Sequence, residues 1–214
     1  MSNSILESLP KLPRGLNPLQ SSCFMDVRID GDTFTHSAKN ENESTILFDL
    51  PISKGTARIE FVNVKHLFAV GIADDSVKYS REENPWVAGK QKIVCLDECG
   101  QFGHIGEMIK GNSWFNKEGD HVALELNMDA IPRTLTLFIN DNEQNNYIAN
   151  IPEMVRFWAF LFFKNSSFKI TKFERNKRPT AKHGQFSVAW QWGQQWKQSD
   201  QEKIEQKKGC CTII

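Results

Sequence analysis

Residues 57–64 read Ala-Arg-Ile-Glu-Phe-Val-Asn-Val, with Ile59 and Phe61 facing one way and Arg58 and Glu60 the other. The same alternation returns at Val122, Leu124 and Leu126, set against Ala123 and Glu125, and at Leu135, Leu137 and Ile139, set against Thr134, Thr136 and Phe138. A period of two places apolar side chains on one face of an extended chain, which marks strands that each bury one side. Further candidate strands are 23–30, 45–50, 66–73, 91–96, 101–105, 146–150, 156–163 and 166–173. They are short and are separated by turn formers such as Asp30-Gly31-Asp32 and Asn140-Asp141-Asn142. Many short antiparallel strands with such punctuation predict an all-β chain, a two-sheet antiparallel β-sandwich. No repeat of solenoid or propeller period is present.

The 214 residues suit one domain with a tail. We divide them into an N-terminal extension (1–22), the sandwich (23–173), a linker or extra strand (174–197) and a flexible tail (198–214). Lys+Arg and Asp+Glu are 26 each, so the basic excess expected of a nucleic-acid binder is missing. Fifteen Phe and six Trp against two Tyr give the composition of a globular core. Met1-Ser2-Asn3-Ser4-Ile5-Leu6-Glu7 has no basic region leading into an apolar one, and Ser2 does not suit N-myristoylation. No apolar run approaches the roughly 20 residues of a spanning helix. A cytosolic monomer is expected. On that expectation, Asn42-Glu43-Ser44 and Asn165-Ser166-Ser167 are chance glycosylation sequons.

Several short motifs fall in a telling order. They are Val70-Gly71-Ile72-Ala73; Gly119-Asp120 leading into Val122; Asp129 followed by Leu135-Thr136-Leu137-Phe138-Ile139-Asn140-Asp141; Asn150-Ile151-Pro152; and Trp158-Ala159-Phe160. On these, the chain from about Ala57 to Phe173 resembles a SPRY domain. It departs from the family's pattern in having Asn140-Asp141 where Asn-Gly is usual. It also has Asn127-Met128 between Leu126 and Asp129, which the family usually joins. The resemblance implies recognition of a protein or peptide by loops between strands, with no catalysis and no cofactor. Fold alone does not fix function.

The loops this would use are Asp74 to Trp86, Gly111 to Phe115 and Asn140 to Asn146. Their candidate contact residues are Asp74, Asp75, Lys78, Tyr79, Arg81, Trp86, Trp114 and Asn142. Tyr, Trp and Arg dominate binding energy in interfaces because they join large contact area to directed polarity. The alternative is that Trp86 plugs the core and the charges solvate a loop. Cys95, Cys99 and His104, with Asp97 or His121 as a fourth group, come nearest to a metal cluster, but structural zinc wants a second matched pair. No metal site is expected.

Cys211-Thr212-Ile213-Ile214 fits a C-a-a-X prenylation box, and Ile214 resembles the geranylgeranyl type of final residue. One lipid rarely anchors a protein stably, and Lys203, Lys207 and Lys208 are diluted by Glu202 and Glu205. Cys210 is therefore expected to be a second, palmitoylated site. Arg175, Lys177, Arg178 and Lys182 read as a solvated linker or a patch facing acidic lipid, and Phe186, Val188, Trp190 and Trp192 as one more strand. The sequence thus points to a membrane-tethered adaptor. A lipidated glycan- or small-molecule-binding protein, a cryptic enzyme using the same sheet face, and a soluble, unmodified adaptor are the alternatives. Intact mass of the protein from its native cell should show one isoprenoid added, the last three residues lost and a carboxyl methyl gained. The Cys211→Ser variant should show none of these changes.

Overall fold

The computed structural model describes residues 16–200, which form sixteen strands and three short 3-10 turns. The strands are β1 (Val27–Asp30), β2 (Thr33–His36), β3 (Ser44–Leu47), β4 (Thr56–Lys65), β5 (Ala69–Asp74), β6 (Ile93–Asp97), β7 (Phe102–Gly103) and β8 (Ile105–Gly106). They continue as β9 (His121–Asn127), β10 (Thr134–Ile139), β11 (Asn142–Glu143), β12 (Asn146–Ala149), β13 (Val155–Leu161), β14 (Ser167–Asn176), β15 (Val188–Gln191) and β16 (Gln195–Trp196). A large sheet runs β1-β2-β14-β4-β9-β10-β12-β15, with β11 on β10. A smaller sheet runs β3-β13-β5-β6-β7, and β8 and β16 pair by themselves. The sandwich expected from the alternation is the observed fold.

The register explains the alternation. Ile59 lies opposite Leu124, and Leu124 opposite Leu137, so one aliphatic row crosses β4, β9 and β10. That row faces Val70, Ile72, Val94, Phe157 and Ala159 of the smaller sheet in one buried cluster. Phe34 stacks on Phe168 at 4.8 Å, and Phe61 meets Phe168 edge-on at 5.7 Å. Asn140 and Asp141 form the two-residue loop between β10 and β11 with φ of 48° and 64°. A hairpin of this kind needs positive φ at both positions, and Asn and Asp bear it better than other side chains. This is how the chain dispenses with the usual glycine.

Some elements differ from the sequence expectations. Ser22–Met25 is a 3-10 turn, so the strand begins only at Val27, and β2 is an additional strand. β14 runs on to Asn176. Beyond it, β15 adds to the sheet edge parallel to β12, and Trp190 and Trp196 are buried. Trp196 Nε1 donates to the Gln191 carbonyl at 2.8 Å, and Trp190 Nε1 donates to Asn146 Oδ1 at 2.9 Å.

The smaller sheet is apolar on both faces. Its outer face carries Leu47, Ala69, Ala73, Ile93, Trp158 and Phe160, and these are covered by Val77, Tyr79, Trp86, Ala88 and Leu19. Residues 75–92 therefore lie as a cover over that face. Arg81 fastens the cover by donating from Nε (2.6 Å) and Nη2 (2.9 Å) to the buried carboxylate of Asp26. Asn40 and Asn42 also donate to Asp26. The Arg81 hydrogen bonds hold its carboxyl well below the usual carboxylate range.

Two expectations follow. A Cβ on Gly71 would collide with the Val94 carbonyl and lie 2.5 Å from Trp158 Cζ2. Gly71→Ala should cost about 3 kcal/mol and lower Tm by roughly 10 °C. Gly184→Ala, with nothing within 4 Å of the new atom, should leave the calorimetric trace nearly unchanged. Arg81→Leu should lose stability at neutral pH. Because the Asp26 pKa is depressed in the fold, its contribution is present above the unfolded carboxylate range and lost as acid protonates it. The stability gap between variant and wild type should therefore close as pH falls below about 4 in chemical denaturation series.

Candidate functional site

The loop from Asp74 to Trp86 is largely committed to the fold. Asp74 Oδ1 accepts from the Ser76 amide at 2.9 Å, and Asp75 pairs with Arg156. Tyr79 is buried and its hydroxyl donates to the Pro85 carbonyl at 2.9 Å; burial pushes its pKa up. Arg81 is held by Asp26, and half-buried Trp86 packs edge-on against Phe160 at 5.9 Å. Lys78 alone of the six points into solvent without an intramolecular ion pair or hydrogen bond among the described residues. The structure does not bring this loop to Trp114 and Asn142. Asp74 and Asp75 follow β5 at one end of the sandwich, whereas Trp114 and Asn142 sit at the other.

That second end gathers the turn after β4, the turn after β6, residues 111–120, the β10–β11 turn and the turn after β13. Hydrogen bonds stitch these turns together. Asn63 Nδ2 donates to the Phe115 carbonyl at 2.9 Å, and the Phe115 amide donates to the Glu98 carbonyl at 3.0 Å. The Ser113 amide donates to Gln144 Oε1 at 2.7 Å, Gln144 Nε2 to the Asn142 carbonyl at 2.8 Å, and Asn142 Nδ2 to the Asn140 carbonyl at 2.9 Å. The His121 amide donates to Asn140 Oδ1 at 2.8 Å. On this stiffened rim Trp114 stands 60% exposed.

The same end carries an aromatic patch that the sequence reading missed. Phe68, Phe162 and Phe163 touch one another, with centroids 5.3 Å (68–162), 6.1 Å (68–163) and 4.9 Å (162–163) apart. His66 meets Phe163 at 5.8 Å. Phe162 is 38% and Phe163 43% exposed, and Val64 nearby is also exposed. The alternation through 156–163 made the two phenylalanines look like the last residues of a strand. β13 in fact ends at Leu161, and the chain turns with both rings outward. The available signal was the position of the pair directly before Lys164-Asn165-Ser166, a turn-forming run.

A second surface, of polar character, lies on the outer face of the large sheet. It is an open groove of ≈ 550 Å³ whose floor includes Arg58, Phe138, Lys172 and Glu174. Arg58 sits 4.0 Å above the Phe138 ring, 3.9 Å from Glu125 and 3.8 Å from Asp141. Cys95, Cys99 and His104 do not make a metal centre. Among the described residues no group of three or more His, Cys, Asp or Glu could hold an ion. Cys95 is buried in β6. His104 Nε2 accepts from the Gly193 amide at 2.9 Å, which leaves Nδ1 protonated to donate to the Ile93 carbonyl at 2.6 Å. Burial pushes the His104 pKa down, as a neutral structural imidazole requires. Cys210 and Cys211 lie outside the described residues.

No protein-family model matches the sequence, and no curated protein matches it either. Solved structures do. The SPRY domain of human HERC1 is 16% identical, with 73% of this chain and 96% of that chain covered and a TM-score of 0.47. The TRIM65 PSpry domain is 11% identical, with 73% of this chain and 88% of that chain covered and a TM-score of 0.56. The likeness to the TRIM65 domain, together with the two mainly antiparallel sheets, shows that the chain has a SPRY-like β-sandwich fold.

Proposed function

We propose that this protein is a non-catalytic recognition module. It binds a protein or peptide at the aromatic end of the sandwich and is held on the cytosolic face of a membrane by lipid. The observation that carries the recognition role is the pair of exposed rings Phe162 and Phe163, backed by the half-buried Phe68 and sharing an end with the exposed Trp114. Contiguous exposed rings are costly in water and mark a contact surface when polar groups rim them. Aromatic side chains on a hydrogen-bonded rim lose little freedom on binding, so more of the buried area is retained as affinity. Asn142, in the hydrogen-bonded turns beside Trp114, supplies a polar group for orientation.

The anchor is proposed as a prenyl group on Cys211, with Cys210 as a second, palmitoylated site, from the sequence pattern. The course of the chain supports a working arrangement. The Gln198 amide donates to Glu107 Oε2 and its side chain accepts from the Lys110 amide, both at 2.8 Å. The Lys110 carbonyl accepts from Asn146, the first residue of β12, at the aromatic end. The ten residues from 201 to 210 reach at most about 35 Å fully extended, so a lipidated tail would keep that end near the bilayer.

The test uses full-length protein to capture binding proteins from cytosolic extract, followed by direct titration of each purified hit. Trp114→Ala and Phe163→Ser should each weaken a direct binder about tenfold or more, with Tm within about 2 °C of wild type. Ile131→Ser, at a fully exposed position on the opposite end, should not weaken it. Unchanged affinity in both aromatic variants would remove this surface. In cell fractionation, Cys211→Ser should move the protein from the membrane to the soluble fraction.

A further inference from the structure

Residues 177–187, between β14 and β15, lie over the outer face of the large sheet, yet none of them is buried. Polar contacts hold this strap in place. Glu125, in the middle of β9 and 1% exposed, accepts from the Thr180 amide (2.8 Å) and the Ala181 amide (2.9 Å) on Oε1. It accepts from the Thr180 hydroxyl on Oε2 at 2.6 Å. Glu143 accepts from the Lys182 and His183 amides, each at 2.8 Å. The His183 ring stacks on Tyr147 at 3.8 Å and shares a hydrogen bond with the Thr136 hydroxyl at 2.8 Å. Two sheet carboxylates thus grip the main chain of four consecutive residues, and the Thr180 hydroxyl proton completes the first grip.

Thr180 is itself solvent-exposed, and it follows Arg175, Lys177 and Arg178. A threonine on an exposed strap behind a basic run is what a kinase selecting basic residues upstream of its acceptor would take, once the strap lifts and frees the hydroxyl from Glu125 and Arg58. We propose that Thr180 is a phosphorylation site and that its modification unlatches the strap from Glu125. In the reaction the Thr180 oxygen attacks the γ-phosphorus of ATP, the bond to the bridging β,γ-oxygen breaks, ADP leaves, and the hydroxyl proton passes to the kinase's base. The donor that met Glu125 Oε2 at 2.6 Å becomes a group of nearly two negative charges at the same place.

The surroundings do not absorb that charge. Glu60, Glu125, Asp141, Glu143 and Glu174 face Arg58, Lys172 and Lys182 around this groove. Lys172 is already paired with Glu174 at 3.2 Å, and Arg58 is shared between Glu125 and Asp141. Arg58 Nη1 also donates to Thr180 Oγ1 at 3.2 Å, so it follows the phosphate outward while the amides leave Glu125. The result is a sheet face with Glu125, Thr136 and Tyr147 opened to solvent, on a surface separate from the aromatic end.

The full-length protein is incubated with ATP and a purified kinase of basic-upstream preference, and amide exchange is followed by NMR. Phosphate should appear on Thr180. The amides of Thr180, Ala181, Lys182 and His183 should then exchange at least tenfold faster, with β9 and β10 unchanged. Failure to modify Thr180 in the folded protein would overturn the proposal. So would exchange that stays the same or slows, which would mean that Arg58 and Lys182 had captured the phosphate with the strap in place. In Glu125→Gln, where no charge opposes the phosphate, phosphorylation should produce a smaller acceleration; an equal one would remove Glu125 from the latch.

Discussion

The smaller sheet has to hide apolar side chains on both of its faces, and much else in the structure depends on that requirement. Its inner face is met by the large sheet. Its outer face, with Trp158 and Phe160, meets no third sheet among the described residues and is covered by loop instead. A cover made of loop cannot bond to itself as a strand does, so it needs separate fastenings. Arg81 on Asp26, Asp75 on Arg156 and Tyr79 on Pro85 are those fastenings. The residues a binding loop would present are therefore spent on closing the fold.

This leaves the other end of the sandwich, where turns from both sheets converge, as the place for the proposed recognition surface. There the backbone is tied by hydrogen bonds between turns, and Phe162, Phe163 and Trp114 stand exposed among the described residues. Rigid support with unsatisfied apolar surface is the combination that distinguishes a contact site from an ordinary loop cluster.

The sandwich was legible because its strands obey a strict period. Ile59, Leu124 and Leu137 declare the buried side locally, and each strand does so independently. The site was less legible because its determinants are not local. Tyr79, Arg81 and Trp86 have the same composition whether they grip a partner or a neighbouring strand, and the partner that decides, Asp26, is 55 residues away from Arg81. Phe162 and Phe163 carried the opposite ambiguity, since they continue an apolar run and reveal themselves only where β13 stops. β2 escaped notice because Phe34 alone among four residues is a large apolar group there.

The pairing of β15 with β12 has a consequence for where this domain can be cut. Hydrophobic alternation of the main run fades near Phe173, and a boundary drawn there would look natural. Cutting at that point would strip β12 of its neighbour and leave open ladder groups along an apolar strand, the kind of edge that recruits other chains. It would also remove the buried Trp190 and Trp196 rings from the core and leave a cavity where they packed. The unit with a paired edge and a filled core therefore extends through Trp196, and the segment that reads from sequence as linker or extra strand closes that edge.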